Sequence, residues 1–147
     1  MSDKNFGEKY SEWNLGGKLI FFSSIAAFIS QFLPWYDVGI ATQSGFAGGW
    51  FLLLVFFLYP FIQVLRMNKI KKVWGMVSAG IAVIASIIII FEATVEIMGE
   101  TGSVAGSGLY LFLLSAIALM VGVYKYKVET DSTLEIEENR SIDEGVE

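Results

Sequence analysis

The side chains in this chain best suited to polar chemistry are carboxylates, and they gather in few places. Glu92, Glu96 and Glu100 are spaced i, i+4, i+8, which puts them on one face wherever that segment is helical. Asp37 occupies a comparable position in the first half of the chain. No Lys or Arg occurs in residues 34–48 or 92–108 to neutralise these four acids. An acidic cluster without a counter-charge attracts cations or a basic peptide. Glu92 lies closest to an apolar run, where a carboxylate is expensive and is commonly functional. The plainer reading is a solvated helix end that helps to stop the run.

The opposite charge is concentrated in Arg66-Met67-Asn68-Lys69-Ile70-Lys71-Lys72. Arg66, Lys69, Lys71 and Lys72 are suited to anionic lipid headgroups, although a purely topological role accounts for them as well. Other chemistries fail on inventory. With no Cys and no His, thiolate nucleophiles, imidazole bases, disulfides and the commonest zinc ligands are all excluded. No Ser has a base beside it, no carboxylate pair lies within an apolar run, and no Gly-rich phosphate loop is present. A non-enzymatic protein is therefore expected, with no catalytic residue, no cofactor, no metal ligand and no nucleic-acid partner.

The elements that must position these charges are four apolar runs: roughly residues 16–33, 49–65, 73–91 and 109–124. Each approaches the length needed to cross ~30 Å of hydrocarbon at ~1.5 Å per residue. The chain is 54% hydrophobic with a mean hydropathy of +0.59, but the distribution decides the matter, because charged residues are almost absent from the runs. The expected fold is all-α: a four-helix transmembrane bundle over residues 16–125, with a cytoplasmic arm at 1–15 and a disordered acidic tail at 126–147. The arm is polar, and Phe32-Leu33-Pro34-Trp35 offers no small-x-small cleavage site, so the first run is expected to stay as a membrane helix.

Orientation follows from Lys and Arg, which remain cytoplasmic during insertion. Lys4, Lys9 and Lys18 lie in or just after the N-terminal arm, Arg66, Lys69, Lys71 and Lys72 lie between the second and third runs, and Lys125, Lys127 and Arg140 follow the fourth. All ten fall on one side, which sets both termini in the cytoplasm. The net charge of −5 belongs to the tail, where eight acids and one base follow Lys127, while residues 1–128 carry nine bases and seven acids. Trp13, Trp74, Tyr124 and Tyr126 fall at the cytoplasmic ends, and Trp35, Tyr36, Trp50 and Tyr110 at the outer ends, as headgroup-level anchors would.

Small residues mark expected helix seams: Gly75, Ala79, Ala82 and Ser86 in the third run, Ser115, Ala118 and Gly122 in the fourth, and Ser23, Ala27 and Ser30 in the first. The second run is bulky throughout, so it is expected to face lipid or a partner. Pro60 within it removes one backbone bond from the Phe56 carbonyl, and Tyr59 and Gln63 are the nearby polar groups. A shift of 59 residues places Gly16 on Gly75, Ala26 on Ala85, Thr42 on Thr101, Ser44 on Ser103 and Gly49 on Gly108. Two repeated helical hairpins are one reading of that register, and chance matching between apolar runs is the other.

The segment Leu33-Pro34-Trp35, then Ser44-Gly45, then Gly49-Trp50 resembles the first outer loop of many small four-span bacterial membrane proteins of unknown function. The resemblance covers about 20 residues and implies a bacterial plasma-membrane setting without an activity. Claudin-like proteins share the topology, but their long first outer loop with paired Cys is missing. The functional expectation is an interaction protein with membrane-protein partners or copies of itself: an accessory subunit, an immunity-type protector or a scaffold. The alternative is a small oligomeric cation channel or transporter with an acidic outer mouth.

Overall fold

The computed structural model describes residues 5–97 and 100–127. It is mostly helical: α1 (Phe6–Glu12), α2 (Leu15–Ser30), α3 (Val55–Leu65), α4 (Lys72–Glu92) and α5 (Ser107–Lys125), with a 3₁₀ stretch over Trp50–Leu54 leading into α3. Two antiparallel β-pairs interrupt the helices, β1 (Pro34–Asp37) with β2 (Thr42–Ser44), and β3 (Thr94–Ile97) with β4 (Glu100–Ser103). The all-α expectation is corrected to that extent. Both connections expected as outer loops, at 34–48 and 92–108, contain hairpins, and the order helix–strand–strand–helix occurs twice.

Two helices, α4 and α5, are long and apolar enough to cross a membrane. At ~1.5 Å per residue their 21 and 19 residues span about 32 and 28 Å. The first run is shorter than expected: α2 has 16 residues and stops at Ser30, about 24 Å. The cause is local. Pro34 disfavours helix before it, and Gln31, Phe32 and Leu33 turn back with their amides on the Phe28, Ile29 and Ser30 carbonyls. Within the N-terminal arm, residues 6–12 form α1, which docks Phe6 and Tyr10 against Trp13, Phe21 and Phe22.

Helix α5 packs along α2 and α4, and α3 packs against both α2 and α4. Neighbours run antiparallel. Asn14, before α2, donates to the Lys125 carbonyl at the end of α5 (3.0 Å), and the Tyr126 hydroxyl donates to the Asn68 carbonyl between α3 and α4 (3.3 Å). The start of α2, the end of α3, the start of α4 and the end of α5 therefore share one end of the molecule, and the described bases lie there. The β-pairs share the other end.

Between these ends the burial is inverted relative to a water-soluble protein. Small and hydroxyl residues face inward: Ser23, Ala27 and Ser30 of α2, Gly75, Ala79, Ala82 and Ser86 of α4, and Ser115 and Gly122 of α5 are all buried. Ile20, Phe57, Val64, Phe112, Leu119 and Val123 fill the space between them. Large apolar side chains face outward on every long helix, among them Phe22 and Phe28, Val55 and Leu58, Ile84 and Phe91, Leu114 and Ile117. Packed glycines allow the close approach. A Cβ at Gly122 would lie 2.9 Å from Ile20 Cγ1 and 3.0 Å from the Ile20 nitrogen, so α2 and α5 meet nearly backbone to backbone.

Candidate functional site

The end carrying the β-pairs is built around one tryptophan. Trp35 in β1 has no exposed surface. Its indole N–H donates to the Ser30 carbonyl at 2.9 Å, one of the terminal helix carbonyls that lacks a partner within the helix. Its ring stacks on Trp50 at 6.2 Å between centroids and tilts against Phe112 at 5.2 Å. Gly45 and Gly108 sit against the same ring, and a Cβ at Gly108 would lie 2.7 Å from Trp35 Cδ1. Gly49 adopts φ 77°, a left-handed conformation that glycine tolerates, and so turns the chain into Trp50. Trp35, Ser44, Gly45, Gly49 and Trp50, singled out in the sequence as one motif, thus meet in one packing arrangement, with Ser44 paired to Pro34 across β1 and β2.

This overturns part of the aromatic-belt expectation. Trp35 is core and not a headgroup anchor, because the Ser30 carbonyl, which also accepts from the Leu33 amide, and a glycine-lined slot receive it. Trp13 is likewise buried, among α1 and Phe21, and Tyr126 is buried at the opposite end. Trp74, Tyr110 and Tyr124 are exposed near the ends of their helices.

Residues 104–106 join the two β-pairs. The Asp37 amide donates to the Val104 carbonyl (2.9 Å), the Gly106 amide to the Trp35 carbonyl (2.8 Å), and the Val104 amide to the Ala93 carbonyl (2.7 Å). The two hairpins therefore form one hydrogen-bonded cap over the ends of the helices. Beneath it Gln31 is wholly buried, and neither atom of its side-chain amide has a hydrogen-bond partner among the described residues. Burying such a group unpaired costs about 1–3 kcal/mol.

The four acids come out on three different supports. Asp37 ends β1 and accepts from the Gly39 amide at 2.8 Å, which fixes the turn that follows. Glu92 is the exposed last residue of α4. Glu96 is on β3 opposite Thr101, and Glu100 is on β4 opposite Ile97. The i, i+4, i+8 helical face is not formed, because α4 stops at Glu92 and the chain turns into β3. Tyr36 reports the local electrostatics: burial, then the nearby Glu92 carboxylate, pushes its phenol above the ordinary value. Among the described residues no group of three or more acids is placed to hold a metal ion.

At the other end, Arg66, Lys69 and Lys71 lie in the turn between α3 and α4, and Lys72 opens α4. Met67 takes a left-handed φ of 53° there, and Ile70 anchors the turn against the core. Of the acidic tail expected at 126–147, Tyr126 is buried against the core, and residues 128–147 lie outside the described residues. Compared with protein-family models, curated proteins and solved structures, the chain gives no match.

Proposed function

We propose that this chain is a four-span plasma-membrane protein with both termini cytoplasmic, and that it works without catalysis by binding partner membrane proteins. The carrying observation is the inverted burial: serines, alanines and glycines inside, large apolar side chains outside on every long helix. Soluble monomers rarely expose contiguous apolar patches beyond a few hundred Å². The four segments α2, 50–65, α4 and α5 are the spans, and the β cap faces outward because the bases lie at the opposite end.

Interaction is favoured over transport because the buried serines offer no polar path. They spend their hydroxyls on their own helices: Ser23 on the Ile20 carbonyl, Ser30 on Ala27, Ser86 on Ala82 and Ser115 on Leu111. The face left for a partner is the bulky one between α2 and α3, where Ile25, Phe28, Leu54, Leu58 and Phe61 line a groove of about 290 Å³. Such a groove accepts the side chains of an apolar helix. Co-purification from mild detergent, with crosslinking from position 58, tests this. Recovery of only partnerless monomer counts against it.

A second reading, an oligomeric cation channel with an acidic mouth, is favoured by one observation. Asp37, Glu92, Glu96 and Glu100 all belong to the capped end, which carries no base in residues 34–48 or 92–108. Cation flux in liposomes that falls in Glu92→Gln supports this reading, and absence of flux removes it.

A further inference from the structure

At the end opposite the cap, Asn14, Leu15, Lys72, Tyr124, Lys125 and Lys127 line a pocket of about 530 Å³. Three lysines from two separate stretches of chain line one space, and no acidic residue among the described residues lines it. Lys72 is the first residue of α4, whose N-cap, Lys71, supplies no side-chain hydrogen bond to the first turn. An uncapped helix start presents free N–H groups and the positive end of the helix dipole, a combination that binds anions. At α2, by contrast, the Asn14 side chain caps Gly17 and also holds the Lys125 carbonyl. Asn14 thereby fixes the chain that carries Lys125 and Lys127 beside the start of α4. The Lys72 ammonium lies over the Tyr124 ring at 5.9 Å, and Tyr124 and Trp74 are exposed at the level where aromatic residues meet headgroups.

We propose that this pocket binds a phosphate group carried by an anionic lipid headgroup, with Lys72, Lys125 and Lys127 as its charge partners. It differs from the basic turn legible in the sequence: of Arg66, Lys69, Lys71 and Lys72, only Lys72 lines it. The other two lysines come from the end of α5 and just beyond, brought in by the fold. The shared chemistry is the phosphate group, which free inorganic phosphate also offers, and the proposal rests on the membrane reading above.

The test uses the full chain extracted in mild detergent, with native mass spectrometry after addition of phosphatidylglycerol, phosphatidylcholine or inorganic phosphate. Phosphatidylglycerol is expected to be retained over phosphatidylcholine. Combined Lys72→Gln, Lys125→Gln and Lys127→Gln should reduce that retention about tenfold or more, while the three Lys→Arg replacements preserve it. Arg66→Gln, at the same end but outside the pocket, should leave it unchanged. Lys72→Gln alone keeps nine of the ten bases and should still lower retention several-fold, which covers failure of the triple variant to insert. Retention indifferent to all three lysines overturns the site. Lysine-dependent retention of inorganic phosphate, without preference between the lipids, overturns the lipid source. Recovery of the chain in the aqueous fraction without detergent overturns the membrane reading instead, and the phosphate arm can still be read on that soluble protein.

Discussion

The Ser78 hydroxyl of α4 donates to the Phe56 carbonyl of α3 at 2.5 Å. Phe56 is four residues before Pro60, so its carbonyl is the one that the proline deprives of an N–H donor. Helix α3 nevertheless continues from Val55 to Leu65. The neighbouring helix supplies the missing bond, and Tyr59 and Gln63, the local candidates, do not. One interaction thus compensates a backbone defect and fixes the register of α3 on α4.

Ser78→Ala should therefore destabilise the protein by about 0.5–2 kcal/mol. In a Pro60→Ala background the same change should cost much less, since the backbone amide restored at that position can itself donate to the Phe56 carbonyl. A double-mutant cycle in detergent unfolding measures this coupling, and additive effects would show that the hydroxyl is incidental.

Trp35 and Trp74 should respond in opposite ways. Trp35 has no exposed surface and Trp74 is 65% exposed. Trp35→Ala should cost about 3–5 kcal/mol, and Trp35→Phe about 0.5–1.5 kcal/mol from the lost indole bond, since the Ser30 carbonyl keeps the Leu33 amide. Trp74→Phe should change stability by less than about 0.5 kcal/mol. Fluorescence with lipid-borne quenchers checks the placement independently: loss of Trp74 should remove quenchable signal, and loss of Trp35 should not.

Because the chain contains no Cys, single cysteines can report topology. Ile40, at the tip of the first hairpin, is 99% exposed. Ile40→Cys should react with a membrane-impermeant maleimide in intact cells, and Lys71→Cys only after permeabilisation. The reverse pattern would invert the orientation, and labelling of both in intact cells would refute the four-span arrangement.

Alkaline pH should loosen the end where α5 leaves the core. Burial raises the Tyr126 phenol above 10.0, so above that value the unfolded chain loses a proton that the folded chain keeps. Stability then falls with rising pH, beginning near 10.0 and levelling once the folded phenol ionises as well. Tyr126→Phe should remove this part of the alkaline loss, although it also removes the bond to Asn68. Thermal melts of both proteins from neutral to strongly alkaline pH provide the measurement.

Much of this protein was legible in its linear sequence. Apolar runs, one-sided bases and small residues at three- and four-residue steps are local properties, and they marked the four segments, the two ends and the buried faces holding Gly75, Ala79, Ala82 and Ser86. What the sequence left open depends on groups far apart in the chain. Three glutamates at helical spacing read as one face, until the chain turned at Ala93 and the backbone around Val104 tied that turn to β1. Trp35 read as an interfacial anchor, because only the fold sets it against Ser30, Trp50 and Phe112. Ser78 finds Phe56 across two helices, and Lys125 joins Lys72 because α5 packs on α4 and Asn14, 111 residues earlier, holds the Lys125 carbonyl. Hydrophobic periodicity specifies which side of a helix is buried, whereas the partner of each polar group depends on which helix ends meet, and that was decided by the tertiary structure alone.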